Sequence, residues 1–196
     1  RYKKDKSMSF YSNKSLSQKL ERTEARANAE FVNSHLKMIP EAQVEWIDVN
    51  GTYAMFDGAE SPLTQTFGLG LFNESIEEDL ETIESFYNRF SAPVIHEVSP
   101  MADLAHVHIL SKKGYQPIEM TNVLYKLLSK DDMEKMRLNP RISARKALEN
   151  EEDIWALTSA EGWCAEMPDF KDVMCQFSQF ILFIYRYLFF VIIIFF

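Results

Sequence analysis

His96 and Glu97 are the residues of this chain whose types and placement could carry acid–base chemistry. They stand side by side in a short apolar run, Pro93-Val94-Ile95-His96-Glu97-Val98, which reads as a buried strand. A carboxylate on a core strand that faces a groove is a candidate for a shifted pKa and so for acid–base work. Successive strand residues point to opposite faces, so at most one of the two faces any given cleft. The plain alternative is a pair satisfied at a strand end near Ser99. Other constellations offer less. His106 and His108 lie two apart on a predicted helix and share no face, so they are not a metal pair. Four His and two Cys show no zinc spacing, and no metal is expected. No nucleophile elbow, Walker loop or dinucleotide fingerprint occurs.

The elements around this pair follow from pattern. Ser99 offers an N-cap oxygen and Pro100 fits the first helical position, so a helix carrying Met101, Leu104, Val107 and Leu110 is predicted. It stops at Gly114, and Tyr115, Ile118, Met120, Val123, Leu124 and Tyr125 read as an extended return. Upstream, Ser15-Leu16-Ser17-Gln18 has the form of a capping box. Leu16, Leu20, Ala27 and Phe31 recur at helical spacing, with Glu21, Arg22, Glu24 and Arg26 on a solvated face and an end before Pro40. Gln43–Val49 and Thr52–Phe56 are strands joined by Asn50-Gly51, the strongest hairpin signal in the chain. Thr64–Phe72 is a third strand. Asn73 or Ser75 then caps a helix striped by Ile76, Leu80, Ile83, Tyr87 and Phe90, a pattern far more often core than cofactor box.

The order strand, helix, Lys112-Lys113-Gly114-Tyr115, strand resembles the end of a GNAT-superfamily N-acetyltransferase domain. The resemblance extends over Leu16 to Leu128. There Leu20-Glu21-Arg22-Thr23-Glu24-Ala25-Arg26-Ala27-Asn28 and Gln65-Thr66-Phe67-Gly68-Leu69-Gly70-Leu71 look like the first half of a two-domain member. It implies an α/β (α+β) fold, a mixed, largely antiparallel sheet flanked by helices, and acetyl transfer from acetyl-CoA to a small-molecule amine. Such an enzyme needs a splayed strand for the pantetheine arm, which Gln65–Phe72 matches. It also needs a Gln/Arg-x-x-Gly-x-Gly/Ala turn for the pyrophosphate, and a Glu base with a Tyr acid on the later helix. That turn is missing: Asn73-Glu74-Ser75-Ile76-Glu77-Glu78-Asp79 has no glycine, and its four carboxylates repel a diphosphate. Gly68-x-Gly70 precedes this point and reads as a bulge, and the Tyr position is Leu110. Residues 15–128 are therefore expected to be a degenerate half that does not hold acetyl-CoA in the family manner, inactive alone. Glu97 and His96 are its acid–base candidates, and no cofactor-binding residue is assigned.

The remaining organisation is expected as a disordered leader over 1–14, a linker over 129–141, the start of a second GNAT-like half over 142–176 and an apolar tail over 177–196. Ile142–Ala147 reads as a strand. Asn150, Glu151, Glu152 and Asp153 open a helix that ends at Gly162. The active half would begin near Ile142 and breaks off after Cys175, before its pyrophosphate turn. In 196 residues a net charge of −8 excludes nonspecific nucleic-acid binding and fits a cationic substrate. Cys164 and Cys175 make no disulfide framework and suit a reduced, cytoplasmic setting. No apolar run long enough for a signal peptide follows the basic Arg1–Lys6. Seven of the fifteen Phe fall in the tail. Its length suits a membrane span of about 20 residues, but Arg186 near its middle costs roughly 2.5–3.5 kcal/mol there. Its β-branched and aromatic residues also suit an aggregating strand. The abrupt switch to Phe, Ile, Tyr and Leu favours a shifted reading frame or intron. The alternative function is a non-catalytic binding or regulatory module tethered to a membrane by this tail.

Overall fold

Asn50 and Gly51 adopt left-handed conformations, φ 49° and 95°, and turn β1 (Glu45–Val49) directly into β2 (Thr52–Phe56). A tight hairpin needs positive φ at both turn residues, and Asn-Gly supplies it at least cost. The register runs from Glu45 opposite Phe56 to Val49 opposite Thr52. β3 (Thr66–Phe67) joins β2 antiparallel, giving the order β1-β2-β3. The segment 95–97 then bridges β3 in parallel: Thr66 N–H donates to Ile95 C=O and Glu97 N–H to Thr66 C=O, both at 3.0 Å. This is a computed structural model that describes residues 12–73, 76–127, 129–131, 142–145, 148–165, 168–185 and 192–195. Leader residues 1–11, Glu74, the Ser75 cap, most of the 129–141 linker and Arg186 lie outside them. The fold is mixed α+β, in two compact units, Arg1–Gln116 and Pro117–Phe196.

In the first unit both faces of the sheet are covered. α1 (Lys14–Met38) lays Ala25, Ala29 and Val32 on Val44, Met55 and Phe67. On the other face α2 (Glu77–Arg89) and α3 (Leu104–Lys112) bring Leu80, Ile83, Tyr87 and Leu110 against Ala54, Phe56 and Leu69. Period-two alternation sorts β1 between them: Trp46 goes with α1, Ile47 and Val49 with α2. Leu80 and Ile83 are fully buried, and each burial contributes roughly 1.5–3 kcal/mol.

Several expected boundaries shift, each for a local reason. α1 starts one turn's fraction early because Asn13, not Ser15, is its N-cap, accepting the Leu16 N–H at 2.9 Å. Its end before Pro40 is as expected. The third strand is two residues long rather than nine, because Gly68 and Gly70 turn the chain with φ 82° and 73°. α2 starts after Ile76 with no side-chain cap; the Asn73 amide goes to Asp79 instead. α3 begins at Leu104 because Asp103 caps Ala105 N–H at 2.8 Å. The Ser99 oxygen is engaged by Met101 N–H at 3.2 Å in a turn before the helix. Leu104 and Val107 are exposed, and His106 and Leu110, four residues apart on one face, are buried. The exit is as the pattern demands: Gly114 at φ 91°, Tyr115 N–H to Leu110 C=O at 3.0 Å and Gly114 N–H to Ser111 C=O at 3.1 Å. These two bonds form a Schellman closure. The expected return is not a strand; residues 115–127 form neither helix nor strand.

In the second unit β4 (Ile142–Arg145) pairs antiparallel with β5 (Ile192–Phe195). Asn150 is not a cap; it lies in a short 3₁₀ turn, Glu149–Glu151, ahead of α4 (Glu152–Trp163). Glu151 accepts both guanidinium nitrogens of Arg145, at 2.6 and 2.7 Å, and Leu148 N–H at 2.8 Å. The described residues of the apolar tail lie in α5 (Lys171–Tyr185) and β5. Among the described residues, no helix is long and apolar enough to cross a membrane.

Candidate functional site

Gln18, Glu21 and Arg22 share one face of α1, at the three- and four-residue spacing that brings side chains together. All three reach the β1–β2 hairpin or the turn after β3. Gln18 donates its amide to Leu71 C=O at 2.8 Å. Arg22 donates to Gly51 C=O at 2.9 Å while its guanidinium lies 4.0 Å over the Phe72 ring and 4.7 Å over Tyr53. Glu21 accepts the Gly68 N–H at 2.9 Å. The turn tolerates this approach because its glycines lack side chains. A Cβ on Gly68 would press on the Phe72 ring, and one on Gly70 would collide with the His106 imidazole.

Glu21 is 7% exposed, and the Ser99 hydroxyl also bonds to its carboxyl. Burial and then the neighbouring Glu97 charge push its pKa up to about 7, against the opposing pull of Gly68 N–H and Ser99; Glu24 adds a smaller push. Glu97 itself is half-buried and also raised, by burial first and then by Glu24. A neighbouring carboxylate charge and burial act in the same direction, each holding back ionisation of the Glu21 carboxyl.

His96 sits on the opposite side of the same segment. Its Nδ1 is 2.8 Å from the Thr66 hydroxyl, and its ring lies 4.9 Å from that of Tyr115. Nε2 is buried with no hydrogen-bond partner among the described residues. Burial pulls the imidazole down to about 4, with Glu84 opposing. Glu84 is committed elsewhere, accepting from Tyr115 OH at 3.0 Å and from Lys113 Nζ at 3.0 and 3.2 Å. So His96 is neutral at pH 7 and packed into the interior, while Glu97 faces the carboxyl cluster. The two sequence candidates are not brought together.

Asp79 occupies the start of α2. It is buried, and its two oxygens accept Asn50 Nδ2 at 2.7 Å and Asn73 Nδ2 at 2.9 Å. Both faces of this carboxylate are therefore used to tie the hairpin and the post-β3 turn to the helix. Among the described residues, no group of His, Cys, Asp and Glu is arranged to hold a metal ion.

Glu21 is the member of the cluster that sequence reasoning placed wrongly, on a solvated face. The signal was present: Glu21, Ala25, Ala29 and Val32 fall at spacings of four, four and three, the period of a buried stripe. Comparison with family models, curated proteins and solved structures gives no significant match.

Proposed function

We propose that residues 16–116 are a GNAT-type module whose acetyl-CoA site is filled by its own side chains, making it the non-catalytic half of a two-half N-acetyltransferase acting on an amine. The chain order supports this reading: β3, then α2, then a segment parallel to β3, then α3 leaving through Lys112-Lys113-Gly114-Tyr115. In the family resembled, backbone N–H groups of the strand before α2 receive the pantetheine arm. Here the Gly68 N–H is taken by Glu21, and this is the observation that carries the proposal. Asp79 and its flanking Glu77 and Glu78 complete the closure, since negative charge at the α2 N-terminus opposes a diphosphate. Glu97 would then be a relic of acid–base machinery kept in a carboxyl cluster, and the acetyl-CoA site would belong to the partner half.

Calorimetric titration of the full chain with acetyl-CoA tests the closure. No heat of binding at millimolar ligand is the expected result. One-to-one binding would overturn it and return Glu97 to the position of a general base.

A further inference from the structure

The segment 95–97 is paired on one side alone. In a parallel bridge the residue opposite Thr66 turns its own backbone groups away, because Thr66 bonds to the residues on either side of it. Ile95 C=O and Glu97 N–H are the groups that face β3. His96 therefore directs its N–H and C=O to the far side, and by the same alternation so do Val94 and Val98. Among the described residues these three make no backbone hydrogen bond. On this side the sheet ends in an open edge.

The side chains of the edge sort by face. Val94 and Val98 pack on the cluster of Leu80 and Ile83, and His96 lies against the Tyr115 ring. Glu97 is on the α1 face, half-buried and within reach of the Glu24 charge. Among the described residues its carboxyl has no ion pair and no side-chain hydrogen bond. A half-buried carboxylate with only like charge beside it is costly to hold, and an incoming cation would relieve it.

We propose that the open 94–98 edge takes an extended peptide segment of a partner protein as a further strand, with a lysine or arginine of that segment placed beside Glu97. The inference does not depend on the acyltransferase reading. The unpaired backbone groups of Val94, His96 and Val98 supply the affinity, and Glu97 selects the side chain. A second copy is the poorer occupant. Joining the edges of two copies would set two uncompensated Glu97 carboxylates on one ladder, and charge on an edge strand keeps like edges apart. A chain of net charge −8 also draws cationic segments and repels acidic ones.

NMR of the full chain titrated with two capped peptides, Val-Lys-Val-Lys-Val and Val-Glu-Val-Glu-Val, tests the edge. The lysine peptide should bind at millimolar concentration or below and slow exchange of the His96 amide roughly tenfold, while the β2 amide of Ala54 is unchanged. The same peptide methylated on its backbone nitrogens should not bind. The glutamate peptide should bind roughly tenfold more weakly than the lysine peptide, and Glu97→Gln should remove most of that difference. The comparison of the three peptides on the native chain stands whether or not that variant folds. No binding of the lysine peptide, equal binding of the lysine and glutamate peptides, or an unchanged difference in Glu97→Gln overturns the proposal. A His96 amide already protected in the free chain overturns it too. Protection that grows with protein concentration makes a second copy the occupant, and protection that does not makes the occupant a segment of the chain itself.

Discussion

The Glu21 carboxyl and the Gly68 amide, 47 residues apart, meet at 2.9 Å in the interior of the first unit. A helix residue is thereby spent on the backbone of a turn that glycine alone lets it approach. The bond carries an electrostatic cost, because folding takes a carboxyl that ionises freely in the unfolded chain and raises its pKa to about 7. The sign follows from proton counting. Between the ordinary carboxylate range and 7 the folded state holds the proton that the unfolded state has lost, so stability falls as pH rises. Glu21→Gln should therefore match the native chain near pH 4.5 and exceed it at pH 8 by roughly 1–3 kcal/mol, after allowing for the water that still reaches the group. Urea unfolding at the two pH values measures this. A native chain as stable as the variant at pH 8 would show that the carboxyl ionises without penalty.

Glu21→Ala should behave differently from Glu21→Gln. It leaves the Gly68 N–H without its acceptor inside the unit. An unsatisfied buried donor costs about 1–3 kcal/mol. The alanine variant should therefore lie below the glutamine variant at every pH, and the gap between the two urea midpoints should not depend on pH. A gap that closes at any pH would place the donor in water.

His96 contributes the opposite slope. Its pKa falls to about 4 on burial, so from about 6.5 downward the unfolded chain takes up a proton that the folded chain refuses. Stability from this group is full above the ordinary histidine range and is lost as pH falls toward 4. In the native chain the Glu21 and His96 slopes oppose each other between about 4.5 and 6.5, and the dependence there should be shallow. In Glu21→Gln one opposing slope is gone and only that of the raised Glu97 carboxyl remains, so stability should drop more steeply than in the native chain as pH falls from 6.5 to 4.5. A flat profile in that variant would mean that His96 protonates in place.

How much of this was legible in the sequence depends on whether a residue acts through its own neighbours or through distant ones. Asn50-Gly51, the Gly114 exit and the α2 stripe of Ile76, Leu80, Ile83 and Tyr87 are local signals, and the structure has them where the pattern puts them. The β3 strand was overread because alternating apolar residues run through Gly68 and Gly70, whose positive φ values end it. On α3, Ser99-Pro100 is a good local start signal that loses to Asp103. Leu104 and Val107 are exposed, and the buried face of the helix carries His106 and Leu110. Glu97 was visible as a carboxyl in an apolar strand, but Glu21 heads a stripe with Ala25, Ala29 and Val32 in which a charged residue and two small ones read as solvated. Nothing local records that Gly68 has its N–H turned toward α1.

Gly70 separates backbone strain from crowding. Gly70 and Gly114 both have positive φ, 73° and 91°, where an added Cβ is disfavoured. At Gly114 such a Cβ meets nothing within 4 Å, whereas at Gly70 it runs into His106. Gly114→Ala should cost about 1–2 kcal/mol from conformation alone, and Gly70→Ala distinctly more. Equal losses in thermal unfolding would mean that the His106 ring can move aside freely.

The face that α3 buries yields the last test: Leu104 is 76% exposed and Leu110 8%. Leu110 packs in the cluster with Leu80, Ile83 and Tyr87, so Leu110→Ala removes buried methyls and leaves a cavity, at about 2–5 kcal/mol. Leu104→Ala touches an exposed residue and should stay within about 0.5 kcal/mol of the native chain. Urea midpoints of the two variants read directly which face is buried. If both lose several kcal/mol, Leu104 is packed as Leu110 is and the exposed face assigned to it is wrong. If only Leu110→Ala does, the buried face of α3 is the one that carries His106 and Leu110.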